Sequence, residues 1–422
     1  MKIGIQTWGS YGDIRPFQAL AEGLQTVGHD VTLVTTRVDS NAHEGYRSQF
    51  GVTIIPVASP VIADKKEFQE TEDAIFREPN SISQTQMIIE RLLLPAEHEM
   101  FEASEKLCAD DELVIGHFFH YPLNTAAAKH GRPYVSVALV HSAIPSAFGP
   151  SSGIPDLGAF GNRLAWRLVR SALNKKLKKY PDQLRARHRV ATARDLFSNV
   201  WASDQLTLIA VSRILCERKD DWPDCYKVCG FLNPYKGALD GPMPPGLQDF
   251  LAPGTPPVYM TLGSTLGEGN SEIVSLFSDA ARKASVRAVV QVPNWRSYGG
   301  ASSKQVHVVD SSPHDAVFPH CSAIVHHGGA GTSQSALRAA KPSVVVPHTS
   351  EQAFWGRELE RIGVAYKPIA RMKLTSDLLS TAIQRVIASK AIHQASMRAG
   401  TEMSRENGVA SAVRFIHERF PT

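Results

Sequence analysis

The stretch Ile324–Gly356, "IVHHGGAGTSQSALRAAKPSVVVPHTSEQAFWG", decides the fold because it has the pattern of a strand, a glycine turn, a helix and a second strand. An apolar run from Ala323 ends at His326 and His327, and a turn with almost no side chains leads into a helix that has Ser and Thr at its start. Backbone N–H groups and the helix dipole at such a start predict an anion-binding site, to which His327 and Thr332 add donors. The alternative is a turn that serves only the tight packing of strand against helix.

The loop after the second of these strands carries Glu351 and Gln352. A carboxylate and an amide side by side can accept from and donate to neighbouring hydroxyl groups, which predicts sugar binding. The same residues also fit a helix cap, because "TSEQ" has the spacing of a capping box. The sequence supports both interpretations.

The rest of the chain repeats this alternation of short β-branched runs with helical patterns. Strands are predicted at "KIGIQT", "VTLVTT", "VTIIPV", "ELVIG" and "YVSVAL", and again at "VYMTLG", "RAVVQV", "VHVVD", "AIVHH" and "SVVVP". Two of the predicted helices run from about Phe17 to Val27 and from about Ser81 to Leu107. Strands that alternate with helices predict an α/β fold with two Rossmann-like, doubly wound parallel-sheet domains.

The domain boundaries follow from composition and from the length of 422 residues, which favours two domains. A stretch dense in Pro and Gly predicts a linker at 233–256 between domains at 1–232 and 257–403. The segment 404–422 is predicted to be a C-terminal helix that packs back on the first domain.

Charge and composition exclude several classes of protein. The net charge of +4 is too small and too dispersed to predict nucleic-acid binding. The N-terminus lacks the pattern of a signal peptide, and no apolar run approaches the roughly 20 residues that span a bilayer, so a cytoplasmic protein is expected. The 5 cysteines form neither a disulfide framework nor a zinc-binding set, and no structural metal is predicted.

The motif "HHGGAGT", with "P-x-x-x-x-Q-x-F-W-G" downstream, resembles the nucleotide-sugar signature of the inverting GT-B glycosyltransferases of the UDP-glycosyltransferase family. The resemblance is greatest to the glycopeptide and sterol glucosyltransferase branch. It extends to "GSYGDIRPFQALAEGL", "DWPDCYKVCGF" and "SSPHDAVFPHCSAIVHHGG", and so spans most of the chain. It implies a GT-B fold, in which an N-terminal acceptor-binding domain and a C-terminal nucleotide-sugar domain face each other across a cleft.

The resemblance also implies a donor site for a UDP-sugar, most closely UDP-glucose. Phosphate contacts and sugar contacts are carried over onto matching positions of this sequence, namely Ser264, His327, Gly329, Ala330, Gly331, Thr332, Glu351 and Gln352. The positive end of the helix and His327 would stabilise the departing diphosphate, so neither a cofactor nor a metal is required. The sequence contains no Asp-x-Asp, the metal-holding element of the other glycosyltransferase architecture.

Catalysis is assigned by the same resemblance to Asp13 in "GDIRP", where plant members of the family have a histidine as the general base. Inversion would then convert an α-linked donor into a β-glycoside. His117, at the end of "ELVIGH", occupies roughly the place of the residue that orients that histidine, which suggests a pair between His117 and Asp13. The alternatives are that Asp13 caps a helix beginning near Pro16 and that His117 is an ordinary core histidine.

The acceptor is expected to be a lipophilic small molecule, and its pocket is predicted around Phe118, His120, Ile144 and Phe148. A basic helix near 160–190 has an apolar face that includes Leu164, Leu168, Ala172, Leu173 and Leu177. Such a helix is expected to contact an anionic membrane surface peripherally, or alternatively to pack on its own domain. The sequence predicts no particular oligomeric state.

The expected function is transfer of glucose to a hydroxyl group of a sterol, polyketide, phenolic or glycolipid precursor. A second expectation, from a different class, is a non-catalytic protein that binds sugar nucleotides or glycolipids on the same fold. A third is a natural-product glycosyltransferase that uses a dTDP-sugar.

Overall fold

The structure, a computed structural model, describes residues 1–38, 48, 50–151, 154–233, 243–263, 270–293, 295 and 302–421. The chain divides into two compact units. The first combines Met1–Tyr235 with Asn407–Thr422, and the second is Lys236–Glu406. Much of the predicted linker, at positions 234–242, lies outside the described residues.

The first unit is built on a parallel sheet. Its seven strands are β1 (Lys2–Gly9), β2 (Asp30–Arg37), β3 (Thr53–Pro56), β4 (Leu113–His117), β5 (Tyr134–Ala138), β6 (Leu206–Ile209) and β7 (Tyr226–Val228). Their order is β3-β2-β1-β4-β5-β6-β7, and every neighbouring pair is parallel. The order reverses between β1 and β4, so a ligand crevice is expected beyond the carboxyl ends of these two strands.

The helices of this unit connect and cover the strands. They are α1 (Tyr11–Thr26), α2 (Lys65–Arg77), α3 (Ser81–Ile88), α4 (Glu97–Asp110), α5 (Tyr121–His130), α6 (Gly158–Leu177) and α7 (Lys179–Arg187).

The second unit contains a five-stranded parallel sheet. Its strands are β8 (Val258–Thr261), β9 (Ala288–Gln291), β10 (Val306–Val309), β11 (Ala323–His326) and β12 (Ser343–Val345), in the order β10-β9-β8-β11-β12. Its helices are α8 (Leu247–Leu251), α9 (Asn270–Ala284), α10 (His314–Val317), α11 (Ala330–Arg338), α12 (Ser350–Arg361), α13 (Ser376–Ala388) and α14 (Lys390–Met403). The order reverses between β8 and β11, which places a second crevice beyond their carboxyl ends.

The last helix, α15 (Gly408–Arg419), returns to the first unit and packs against α1. Val409, Val413 and Ile416 join the apolar core of that unit. A side chain at Gly23 of α1 would overlap Val409, so the two helices approach each other more closely than any residue with a β-carbon would allow.

The fold class predicted from the sequence is confirmed, because both units are α/β with entirely parallel sheets. The prediction omitted β6 and β7. β7 has only three residues, two of them incompletely buried, so its sequence signal is weak. β6 is a fully buried run of four residues, and periodicity does not distinguish such a short run from a buried helix segment.

Two helix predictions were wrong at prolines. The single helix predicted from Ser81 to Leu107 is interrupted between Ile89 and Ala96, where Pro95 cannot donate a backbone hydrogen bond. In contrast, α1 begins at Tyr11, five residues before Pro16, because Ser10 and Asp13 form a capping box that starts the helix earlier.

Candidate functional site

The crevice of the second unit contains the start of α11. Gly329 is the N-cap residue, with φ −61° and ψ 146°, and it has no side chain that could satisfy the backbone of the first turn. The N–H groups of Ala330, Gly331 and Thr332 therefore lie at an uncapped positive helix end, which favours an anion. The predicted strand, turn and helix are all present in the described structure.

The imidazole of His327 lies between two glycine backbones. A β-carbon on Gly263, which has φ +98°, would lie 3.0 Å from His327 Cε1, and a β-carbon on Gly329 would overlap Nε2. Gly263 ends the described part of the loop after β8, so the loops of both switch-point strands meet at this ring. Ser264, the next residue, lies outside the described residues.

His327 is neutral at neutral pH, since burial lowers its pKa to about 4. Among the described residues, its Nδ1 has no hydrogen-bond partner. A half-buried neutral imidazole at a positive helix end can donate one N–H to an anionic oxygen, and a bound diphosphate would itself favour the protonated form.

The glycine turn is also tied to the following loop. Gly328 has φ +91°, and a β-carbon there would lie 2.6 Å from the backbone oxygen of Gln352 and 2.8 Å from Val345 Cγ1. The turn at α11 and the first turn of α12 are therefore in van der Waals contact. This contact brings Glu351 and Gln352 next to the uncapped start of α11.

The capping interpretation of "TSEQ" is realised in the structure. Thr349 Oγ1 accepts from the Gln352 N–H at 3.3 Å, and Gln352 Oε1 accepts from the N–H groups of His348 at 2.7 Å and Thr349 at 3.3 Å. Glu351 is exposed, and its Oε1 accepts from Trp355 Nε1 at 3.3 Å. The Gln352 oxygen is thus occupied by backbone, which leaves the amide nitrogen as the group that can donate to a sugar hydroxyl.

Sequence reasoning missed His348 and Arg371. Burial lowers the pKa of His348 to about 3, with smaller contributions from His327 and Arg371, so these three side chains are close enough to interact. The Arg371 N–H donates to the Pro347 oxygen at 3.3 Å, which fixes the arginine beside the strand exit. His348 could have been found as the first polar residue after "SVVVP", whereas Arg371 reaches the site only through the fold.

The crevice of the first unit contains Asp13 in the first turn of α1. Its Oδ2 accepts from the backbone N–H and from the hydroxyl of Ser10, both at 2.9 Å. Gly9, which ends β1 with φ +126°, leaves room for this carboxylate, because a β-carbon there would lie 2.5 Å from Oδ2. The alternative that Asp13 caps a helix therefore describes one role of this residue, although the helix begins at Tyr11 rather than near Pro16.

His117 ends β4, on the other side of the same switch point. Its Nδ1 accepts from the Phe119 N–H at 3.3 Å, and its ring packs against Phe17 and Phe118 at centroid distances of 5.8 and 4.8 Å. Burial lowers its pKa to about 3, so the ring is neutral and carries its proton on Nε2. A pair with Asp13 stays a prediction, and it would have to use that Nε2–H.

The residues predicted for the acceptor pocket differ in exposure. Phe118, His120 and Ile144 are buried, whereas Phe148 is half exposed. His120 caps α5 by accepting from the Leu123 N–H at 3.1 Å, and burial, with a smaller effect of His117, lowers its pKa to about 3. The predicted pocket residues thus include core and capping positions, and their contact with an acceptor stays a prediction.

Within the described ranges, no group of three or more His, Cys, Asp or Glu side chains is arranged to hold a metal ion. In the same part of the chain, no helix has the length and apolar character needed to cross a membrane.

Comparison with known proteins shows which proteins this chain is similar to. Residues 278–414 match the model of the erythromycin biosynthesis protein CIII-like C-terminal domain. The sterol 3-beta-glucosyltransferase UGT80B1 of Arabidopsis thaliana is 26% identical over 100% of this chain and 68% of its own length. The O-mycaminosyltylonolide 6-deoxyallosyltransferase of Streptomyces fradiae is 26% identical over 99% of this chain and 97% of its own. The glycosyltransferase VinC, solved in complex with dTDP, superposes with a TM-score of 0.65 at 19% identity, covering 99% of both chains.

Two parallel-sheet α/β units with such structural neighbours show the GT-B fold. Together with this fold, the matched family model and the similarity to sterol and macrolide glycosyltransferases over nearly the whole chain support a glycosyltransferase of the UDP-glycosyltransferase family.

Proposed function

We propose that this glycosyltransferase moves a hexose, glucose from UDP-glucose, onto a hydroxyl group of a lipophilic small molecule with inversion at the anomeric carbon. The observation that carries the proposal is the α11 start, where an uncapped helix end and the neutral His327 ring converge on one anion position. A sterol glucosyltransferase and a macrolide-type glycosyltransferase among the relatives support a lipophilic acceptor.

In the proposed reaction, the Asp13 carboxylate takes the proton of the acceptor hydroxyl as its oxygen attacks carbon one of the sugar. The bond from carbon one to the diphosphate breaks, and its electron pair leaves with the nucleotide. The N–H groups at the start of α11, together with His327 and Thr332, stabilise the charge that develops on the leaving group. Glu351 and the amide nitrogen of Gln352 orient the sugar hydroxyls. The proposal requires neither cofactor nor metal.

The test of the base compares two variants that separate chemistry from helix capping. Asp13→Asn keeps an oxygen that can accept from the Ser10 N–H, so α1 is expected to stay capped while kcat falls by about 10²-fold or more. Ser10→Ala removes the hydroxyl partner and is expected to lower stability by about 1 kcal/mol with kcat reduced less than about tenfold. Product is measured by mass spectrometry after an acceptor screen, and UDP affinity by isothermal titration.

Two outcomes would contradict the proposal. If Asp13→Asn retains turnover, the carboxylate is only a cap. If neither variant nor the parent protein turns over any acceptor while UDP-glucose binds tightly, the protein is a binding module on the same fold.

A second candidate donor is a dTDP-sugar, which is favoured by the solved neighbour bound to dTDP. Parallel titrations with UDP and dTDP distinguish the two donors. Binding that is at least about tenfold tighter for dTDP would replace UDP-glucose in the proposal.

A further inference from the structure

The helix α6 is fixed to the first unit by one face. Asn162, Trp166 and Leu177 are buried. Trp166 Nε1 donates to the Gly149 oxygen at 2.9 Å, and Asn162 Nδ2 donates to the Ala147 oxygen at 3.1 Å. The helix therefore packs on its own unit, and these contacts determine which face points away from it.

The opposite face of α6 carries a row of large apolar side chains in solvent. Phe160, Leu164 and Leu168 lie at i, i+4 and i+8, which places them on one side of a helix. Their exposed fractions are 83%, 51% and 65%. Leu157, just before the helix, is 56% exposed. The residues of the apolar face predicted from the sequence thus lie on two sides of the helix, because Leu177 faces the core while Leu164 and Leu168 face outward.

The charged residues within α6 itself have one sign, although Asp156 lies exposed just before the helix. Between Gly158 and Leu177 the chain contains five basic residues and neither Asp nor Glu. Arg170 pairs with Asp195 at 2.8 Å, whereas Arg163, Arg167, Lys175 and Lys176 are exposed. An apolar row bordered by several exposed cations is the pattern of a helix that lies in the interface of an anionic bilayer.

We propose that the outward face of α6 docks on an anionic lipid surface, with Phe160, Leu164 and Leu168 inserted at the level of the acyl chain boundary. Arg163, Arg167 and the two lysines then lie among the lipid phosphates. A second copy of this chain fits the face less well, because a twofold contact would bring the same arginines against each other. The inference does not depend on the proposed function, although a lipophilic acceptor would be concentrated at such a surface.

The test is flotation of the purified full-length protein with vesicles of phosphatidylcholine alone and of phosphatidylcholine mixed with phosphatidylglycerol. The parent protein is expected to float with the anionic vesicles only, and less at high salt. The triple variant Phe160→Ser, Leu164→Ser, Leu168→Ser removes exposed side chains and is expected to keep its melting temperature while binding falls at least about tenfold. The variant Arg163→Gln, Arg167→Gln is expected to lose the preference for anionic vesicles.

The matched control is Met372→Ser, Leu378→Ser, Met397→Ser, which removes three equally exposed apolar side chains from the second unit. It is expected to float as the parent does. The proposal is overturned if the parent stays at the bottom of the gradient with both vesicle types, which would leave an acidic protein surface as the occupant. It is also overturned if the triple variant and the control bind alike.

Discussion

Replacing Gly329 by alanine tests how the proposed phosphate site is built. The backbone of Gly329, with φ −61° and ψ 146°, is accessible to alanine, so the substitution introduces no backbone strain. Its methyl group would lie 2.4 Å from His327 Nε2 and 3.2 Å from Cε1, closer than side-chain atoms can approach. The imidazole must therefore rotate away from the start of α11. On the other side, the ring lies so near the backbone of Gly263 that a β-carbon there would be 3.0 Å from Cε1, which leaves little room for rotation in that direction.

The expected loss follows from the hydrogen bond that His327 would donate to the diphosphate. A hydrogen bond to a charged group contributes roughly 1.5–3 kcal/mol, so UDP affinity should fall about ten- to a hundredfold. The cost to folding is expected to be smaller, about 1 kcal/mol, because alanine is a poorer N-cap than glycine. Isothermal titration with UDP measures the first quantity and urea unfolding the second.

A double-mutant cycle with His327→Ala decides whether the effect acts through the ring. In the His327→Ala background there is no imidazole to displace, so Gly329→Ala should change UDP affinity by less than about threefold. Equal losses in both backgrounds would refute the reasoning, since they would mean that the methyl group blocks the ligand directly. Gly331→Ala is the companion variant. Among the described residues, its β-carbon would meet no atom within 4 Å beyond its own helix and chain neighbours, so a loss there reports the ligand's own approach to the backbone.

Two further predictions concern stability. Gly23→Ala should destabilise the first unit by about 1–3 kcal/mol, because its methyl group overlaps Val409. In a Val409→Ala background this cost should disappear, and equal costs in the two backgrounds, measured by urea unfolding, would contradict the contact. Burial holds the pKa of His326 at about 3, below the roughly 6.5 of a histidine in an unfolded chain. Between these values the unfolded state binds more protons than the folded state. The free energy of unfolding should therefore fall as the pH drops from about 6.5 toward 4, by up to about 1.4 kcal/mol per pH unit for each such histidine. The pKa of Asp111, raised to about 6 mainly by burial, opposes this trend with one carboxyl group. His326→Gln should remove the contribution of one histidine from the slope of the free energy of unfolding against pH. An unchanged slope would contradict the low pKa assigned to His326.

The fold class could be predicted from the sequence because the strands at the two switch points are rich in apolar and β-branched residues. The runs that became β1, β8 and β11 are almost fully buried, and burial on both faces of a parallel sheet demands such composition. The edge strand β7 is short and only partly buried, and the fully buried run of β6 is too short to be told from a helix segment, which is why neither gave a clear pattern. Prolines were misjudged in two opposite ways. The helix α1 begins before Pro16 because the cap at Ser10 starts it, whereas the predicted helix across Pro95 is interrupted there.

The candidate site was predictable where the determinants are local. The glycine turn, His327 and the start of α11 follow one another in sequence, and so does the loop with Gln352. The role of Gly263 was not predictable, because its lack of a side chain matters only through His327, more than sixty residues later in the chain. Arg371 is similar, since its proximity to His348 arises from the path of the chain after α12.

Asp13 and Gln352 combine an observed capping role with the chemical role that is proposed for each of them. Both occupy the third position of a helix that begins at the carboxyl end of a sheet, and both are held there by a capping box. A cap fixes the rotamer of a side chain through backbone hydrogen bonds that the helix start needs in any case. A polar group required at a crevice is therefore preorganised at little additional cost when it also serves as the cap. For this reason a capping box at a switch point does not argue against function, and only a substitution that preserves the cap, such as Asp13→Asn, can separate the two roles.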